Sequence, residues 1–294
     1  MSSKGVLLFA RNNDQIDYIK QAYFLAKRVR KYLDVPTTLV TDSLHYLERE
    51  FDTDVFDEVI SIEPWIKDNP RTFNDGALNG QRAHFKNLGR YNAYEFSPYD
   101  ETILMDTDYV VSNSLLKNCF GSVNDFAIYK DSLDISNVRN PREFKYVSDS
   151  SVDFYWATVV YFKKTETNRR FFDLIAHIQD NYEHYRRVYQ ISSKMFRNDF
   201  AFSIAIHMMN GFQQGGFVSP LPGKLLYTTD KDILWNLEDD NMFFLVEKEK
   251  HLGEYTPMRT RGQSIHVMNK FSLVRQIDKE MSNGWFWHCY ACTK

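Results

Sequence analysis

Two carboxylates one residue apart, Asp106 and Asp108, close the apolar run Ile103-Leu104-Met105. A run of that kind reads as a strand buried on both faces, and the C-terminal ends of such strands are where open α/β sheets hold ligands. Where the alternation breaks into a turn, the two acids can converge on one hard divalent cation. The Asp-x-Asp triplet alone says little, because it also occurs at Asp52 to Asp54 and at Asp230 to Asp232. Only the middle copy directly follows a strongly apolar strand, so position and not motif selects it.

A nucleotide also needs a place for its phosphates, and the first strand-helix junction reads Phe9-Ala10-Arg11-Asn12-Asn13-Asp14. It has no Gly. That excludes the dinucleotide fingerprint and the P-loop, in which Gly lets the backbone approach phosphate, and it departs from the Gly-rich loop of sugar nucleotidyltransferases. A polar Arg/Asn turn can instead hydrogen-bond a base and ribose, leaving the diphosphate to a metal. Near the other end, Cys289 and Cys292 form a C-x-x-C beside His288 with no second ligand pair and no following helix, which weighs against a zinc or redox role.

The elements that must position these residues follow from periodicity. Gly5 to Ala10 is a continuous apolar run suited to a buried strand, and Ile19, Ala22, Ala26, Val29 and Leu33 then recur at helical spacing until Pro36. Thr37 to Thr41 and Glu58 to Ile62 are further short strands, with a helix around Leu44 to Phe51 between them. A helical stretch is expected over Arg82 to Phe96, leading into the strand Thr102 to Met105. Strands at Phe126 to Tyr129 and Ala157 to Phe162 follow, with helices over Thr165 to Tyr182 and Asp199 to Met209, the latter capped by Asn198 or Asp199. Asp131 to Asp153 reads as a long polar loop, and the last eighty residues as aromatic-rich and irregular. Strand-helix alternation of this kind implies a mostly parallel sheet with crossover helices. No repeat or linker divides the chain, so a single domain over 1–294 is expected, with a nucleotide-binding half at 1–112, an acceptor-side half at 113–270 and a C-terminal extension at 271–294.

Composition sets the class. With 43% hydrophobic and 26% charged residues over 294 positions, the chain can bury a sizeable core and is not disordered. Its longest apolar runs fall far short of the roughly 18 residues that a membrane span needs, and the first residues are too brief for a secretory signal. No membrane span and a cytoplasmic location are therefore expected. A net charge of -3 gives no general attraction to nucleic acid. The densest basic run, Lys27-Arg28-Val29-Arg30-Lys31, reads as a solvated helix face rather than a phosphate-binding patch.

Several segments in order resemble the GT-A-fold glycosyltransferases, in particular the glycogenin-like group that includes bacterial lipopolysaccharide glucosyl- and galactosyltransferases. The resemblance runs through most of residues 5 to 270. Asn13-Asp14, Tyr18 and the helix Gln21 to Lys31 resemble the family's first nucleotide-binding turn, and Phe56-Asp57-Glu58-Val59-Ile60 the stretch before its third strand. Asp106-Thr107-Asp108 falls on the D-x-D metal motif, Ala157 to Phe162 on the strand that normally reads Gly-Val, and Asn198-Asp199 on an acidic acceptor-side motif. Ser264-Ile265-His266-Val267-Met268-Asn269-Lys270 resembles the late segment that supplies a His ligand and a Lys for the diphosphate. The family's Gly after the His, its Pro-Trp after the Lys and its Gln after the acceptor-side Asp are missing here.

The resemblance implies a GT-A, Rossmann-like fold with a mixed, mostly parallel central sheet flanked by helices. It further implies a metal-dependent glycosyltransferase that moves a sugar from a nucleoside-diphosphate donor, UDP-linked by preference, to a hydroxyl of a glycan, protein or small molecule, with retention. Asp106, Asp108 and His266 would hold Mn²⁺ or Mg²⁺. Ala10, Arg11, Asn12, Tyr18, Lys86, Thr107 and Lys270 would contact the donor, and Asp199 with Lys86 would serve the chemistry. Plainer roles stand beside these: His266 as a satisfied strand histidine, Lys86 as a solvated helix residue, Asp199 as a helix cap, Tyr18 as packing, and Trp156 as core or as a sugar-stacking ring. Two other functions also remain open, a non-catalytic nucleotide-sugar or carbohydrate-binding protein and a glycosyltransferase acting on modified nucleic acid.

Overall fold

Apolar runs that can be buried on both faces build the centre of the sheet. The computed structural model describes residues 3–64, 69–136, 144–149, 152–248 and 251–282. Strand β1 (Lys4–Phe9) leads to α1 (Tyr18–Tyr32), whose N-terminus is capped by Asp17 accepting the Lys20 amide, and then to β2 (Thr37–Thr41), α2 (Leu44–Glu50) and β3 (Glu58–Ser61). A hairpin of β4 (Pro70–Asn74) and β5 (Gly80–His84) follows, then a 3₁₀ turn, the single-turn α3 (Ala93–Phe96), β6 (Glu101–Met105) and β7 (Tyr109–Val110). Next come β8 (Phe126–Tyr129), β9 (Ser132–Asp134), β10 (Trp156–Lys163), α4 (Glu166–Asp180), α5 (Tyr182–Val188) and α6 (Asn198–Met209). The chain continues through β11 (Ser219–Pro220), β12 (Leu225–Thr228), β13 (Ile233–Glu238), β14 (Asn241–Glu247), β15 (Tyr255–Arg261), β16 (Ile265–Val267) and α7 (Lys270–Ser282).

The central sheet has seven strands in the order β11-β8-β10-β6-β1-β2-β3. Its pairings are parallel except around β10, which runs antiparallel to both β6 and β8. With α1 packed on β1 and β2 and α6 on β10, this is a mixed, mostly parallel sheet flanked by helices, as the resemblance implied. No described helix is long and apolar enough to cross a membrane.

A second, four-stranded sheet, β7-β16-β12-β9, delivers the late part of the chain to the end of β6. Strand β16 pairs antiparallel with β7, His266 opposite Tyr109, and the Val267 amide donates to the Asp108 carbonyl at 2.9 Å. These backbone bonds, rather than any local signal, carry His266 across 158 positions of sequence to the acidic turn.

Four expectations change. Arg82 to Phe96 is not one helix: Gly80–His84 is a strand paired with β4, and helix begins only at Ala93. Four of the five β5 residues are exposed, so no alternation of apolar residues announces the strand. The described part of the last eighty residues is not irregular, since β13, β14 and β15 form an antiparallel meander whose Met242, Phe244 and Val246 pack with Leu273 and Ile277 of α7 into a second core. The apolar neighbours Phe243 and Leu245 hide that alternation in the sequence. Strand β9 lies inside the expected long loop. Finally, Arg197 and not Asn198 or Asp199 is the N-cap residue of α6.

In the basic run of α1, Arg30 and Lys31 are exposed as expected of a solvated face, but Arg28 is not. Arg28 is buried and donates to the Val111 and Asp239 carbonyls and the Ser112 hydroxyl, while Lys31 pairs with Asp239. Cys289, Cys292 and His288 lie outside the described residues.

Candidate metal centre

The turn after β6 is held from both sides. The Asp106 amide donates to the Thr158 carbonyl of β10 at 2.8 Å, and the Tyr109 amide closes back on the Asp106 carbonyl. This fixes the two carboxylates at the rim of a cavity of about 290 Å³ at the C-terminal end of the sheet. One ligand atom each from Asp106, Asp108 and His266 lie within 4.8 Å of one another, the only such grouping among the described residues. His266 Nε2 stands 3.3 Å from Asp108 Oδ2, and its Nδ1 is 3.2 Å from the Thr158 hydroxyl, which holds the ring with Nε2 toward the carboxylates. Trp156 packs edge-on to the same ring and to Phe154, and tilted against Phe144 and Tyr227, so this indole both lines the cavity and belongs to the aromatic cluster that orients His266.

Internal cations already partner the acids. Lys270 Nζ lies 2.6 Å from Asp108 Oδ2, and buried Arg90 donates to Asp106 and to the Ala157 carbonyl. Burial pushes Asp106 up to about 6, against the pull of Arg90 and with the help of the Asp108 charge. Burial acts the same way on Asp108, but Lys270 and His266 outweigh it and hold that carboxyl well below the usual range. One neutralisable and one firmly ionised carboxylate beside an imidazole form a mixed oxygen and nitrogen donor set that a divalent first-row ion accepts.

Among the other expected site residues, Thr107, Tyr18 and Asp199 line the same cavity. Thr107 donates its hydroxyl to Gln21 at 3.2 Å. Tyr18 is buried edge-on to Phe85, and its hydroxyl has no partner among the described residues, a polar atom that a ligand can satisfy. Asp199 accepts from the Ala157 amide at 2.9 Å through Oδ1 and from Arg197 at 2.8 Å through Oδ2.

Ala10, Arg11, Asn12 and Lys86 are not on the cavity wall. Arg11 is spent inside the fold, with Nε 2.8 Å from Asp42, a terminal N–H on the Lys86 carbonyl, and its amide on Asn87. Asn12 accepts the Ile19 amide and donates to Asp17, tying down the start of α1. Lys86 follows β5 in a loop, and the basic residue that reaches the acids is Arg90, four positions on.

The resemblance singled out Lys86, and Arg90 lay within the same expected helix, Arg82 to Phe96. Arg197 was detectable as a base two residues before Asp199. Arg71, which also lines the cavity from β4, carried no sequence signal. Asp230, first acid of the third Asp-x-Asp copy, lines the cavity as well and accepts from the Asn74 side chain at 2.8 Å, whereas its neighbour Asp232 is buried as a turn staple for Thr229 and Glu247.

No family model and no curated protein matches the chain. Among solved structures it is similar to the glycosyltransferase GlyE of Streptococcus pneumoniae TIGR4, at 13% identity over 75% of this chain and 45% of that one, with a TM-score of 0.41. It is similar to the galactosyltransferase LgtC in complex with donor and acceptor sugar analogs, at 11% identity over 79% and 75% of the two chains, with a TM-score of 0.43. It is also similar to the bifunctional IspDF from Campylobacter jejuni, at 14% identity over 76% and 50%, with a TM-score of 0.37. The chain thus spans less than half of the GlyE structure's length and three quarters of that of LgtC. These likenesses are loose, and what the cavity can do follows from its side chains.

Proposed function

We propose that this protein is a metal-dependent glycosyltransferase that moves a sugar from a nucleoside-diphosphate donor, UDP-linked by preference, to a hydroxyl acceptor. The observation that carries the reading is the convergence of Asp106, Asp108 and His266 on one cavity at the carboxyl end of the sheet. These three residues would hold Mn²⁺ in preference to Mg²⁺, because Mg²⁺ favours oxygen ligands alone. A divalent ion bound there supplies Lewis-acid stabilisation of the charge that a departing diphosphate gains.

The remaining tasks fall to this chain's own groups. Lys270 sits on a flexible stem at the first position of α7 and can exchange Asp108 for a phosphate oxygen. Arg90 lies against Asp106 and adds fixed positive charge where the bond to the diphosphate breaks. Tyr18 lines the cavity with its hydroxyl unpartnered among the described residues, which offers a base a hydrogen bond. Burial and closure of the cavity by the β4-β5 hairpin, through Arg71, Thr72 and Phe73, limit water at the reacting carbon.

Both carboxylate oxygens of Asp199 are engaged, one by the Ala157 amide and the other by Arg197. A carboxylate so neutralised is a weak general base, which supports retention over inversion at the sugar. The nucleotide half at 1–112 and the acceptor-side half at 113–270 then meet at the cavity.

The reading is tested by incubating the protein with a panel of nucleotide sugars, with Mn²⁺ or with chelator, and following release of free nucleoside diphosphate. Metal-dependent release from one donor, lost in Asp108→Ala, supports it. Donor binding with no turnover across varied hydroxyl acceptors assigns the chain to the non-catalytic binding class instead.

A further inference from the structure

The cationic side chains on the cavity wall are not alike in their partners. Arg90 is paired with Asp106, Lys270 with Asp108 and Arg197 with Asp199. Arg71 alone among them forms no ion pair with a described residue. Its side chain reaches into the cavity from β4, held by a hydrogen bond from one terminal nitrogen to the Phe196 carbonyl at 2.5 Å and by the Phe85 ring, whose centroid lies 4.0 Å from the guanidinium carbon. Its Nε is buried and has no acceptor among the described residues. A guanidinium so placed is costly to leave without an anion.

The bond to Phe196 puts Arg71 at the start of α6, beside Arg197, where the charges of both Asp199 and Asp106 reach it. Arg197 is braced by the Phe144, Phe154 and Phe200 rings, and Asn198 and Asp199 of the first turn of α6 line the same end of the cavity. The positive end of this helix points its dipole there with no side-chain cap. Against these stand two carboxylates, each already engaged: Asp199 by Arg197 and the Ala157 amide, and Asp106 by Arg90. The local balance is therefore positive. Burial and the like charge of Arg197 push the Arg71 guanidinium down to about 10, while Asp199 and Asp106 pull the other way without offsetting them.

We infer that this end of the cavity binds an oxyanion on the acceptor, a carboxylate or a phosphate, through Arg71 with Arg197, so that the acceptor is an acidic sugar or a sugar phosphate. The inference rests on the donor occupying the Asp106 end, as proposed above. A planar guanidinium beside a second one matches the paired oxygens of either group.

The test is calorimetric titration of the full chain, preloaded with UDP and Mn²⁺, with glucuronate, with glucose 6-phosphate and with methyl glucoside. At least one of the two anionic probes should bind about tenfold more tightly than the neutral glycoside, in line with a charge-assisted hydrogen bond. Preference for glucuronate or for glucose 6-phosphate identifies the carboxylate or the phosphate. Arg71→Gln should erase the difference and Arg71→Lys keep part of it, with UDP affinity unchanged in both. Equal binding of charged and neutral probes, or no binding of either anion, overturns the inference. So does a loss of UDP affinity in Arg71→Gln, which would make Arg71 a donor-diphosphate group. If UDP and Mn²⁺ fail to bind while the anions still bind through Arg71, the glycosyltransferase reading falls and this subsite stands.

Discussion

Lys270 Nζ lies 2.6 Å from Asp108 Oδ2, so the carboxylate that a cation would need is already held by a cation of the chain's own. On the proposed reading, an incoming metal ion would compete with Lys270 for one oxygen. The competition ends when a diphosphate offers Lys270 another partner.

Lys270→Met should therefore tighten Mn²⁺ binding to the nucleotide-free protein by about tenfold, since a unit charge beside the site is removed. The same variant should bind UDP with Mn²⁺ more weakly, by about 1.5 to 3 kcal/mol for the lost charged hydrogen bond. Paired titrations with and without UDP check both signs. Unchanged Mn²⁺ affinity without nucleotide would show that Lys270 is not a competitor.

The pH dependence of metal binding follows from Asp106. Its carboxyl is raised to about 6 in the metal-free protein, chiefly by burial. Above that pH it is ionised and available; as pH falls through about 6 it takes a proton that a metal must displace, so Mn²⁺ affinity should drop about tenfold per pH unit below it. In Asp106→Asn that contribution to the pH profile should vanish. A flat affinity between about pH 5 and 8 in the wild-type protein would contradict this.

Stability also depends on this rim. Arg90 is buried, donates to the Ala157 carbonyl and pairs with Asp106. Arg90→Ala leaves the carboxylate and the carbonyl without that partner and should cost about 3 to 5 kcal/mol in urea unfolding. Saturating Mn²⁺ should restore part of the loss, because a ligand that binds only the native state stabilises it. A variant as stable as wild type would show the pair to be energetically idle.

Asp199 separates a structural role from a chemical one. Asp199→Ala strips the acceptor from the Ala157 amide and should cost about 1 to 3 kcal/mol. Asp199→Asn keeps an acceptor there, so it should retain most of that stability. If the charge takes part in transfer, the Asn variant should lose turnover with UDP affinity intact. Full activity in it would leave Asp199 as a support for Ala157 and α6.

How much of this could be read from the sequence depended on whether burial was written in the local pattern. Strands β1 and β6 are buried on nearly every side chain, so their apolar runs and the acids that end β6 stood out. Exposed β5 carried no such mark and read as the start of a helix, while Lys86 rather than Arg90 was picked out by the resemblance. His266 was reachable only through the late segment's resemblance, because β16 finds β7 by backbone pairing over a long separation. Arg11 and Asn12 sit at a junction whose polarity suggested a ligand, yet that polarity serves Asp42, Asn87 and the start of α1. Most side-chain hydrogen bonds go to backbone or water, and these two side chains follow that rule in part.

The most direct test is titration of Mn²⁺ into the protein with UDP present, followed by the loss of the free-ion electron paramagnetic resonance signal. One tight Mn²⁺ per chain in the wild type, abolished in Asp106→Asn/Asp108→Asn and weakened by His266→Ala with the fold intact, is the predicted result. Mn²⁺ binding that is absent in the wild type, or undiminished in the double variant, would contradict the account.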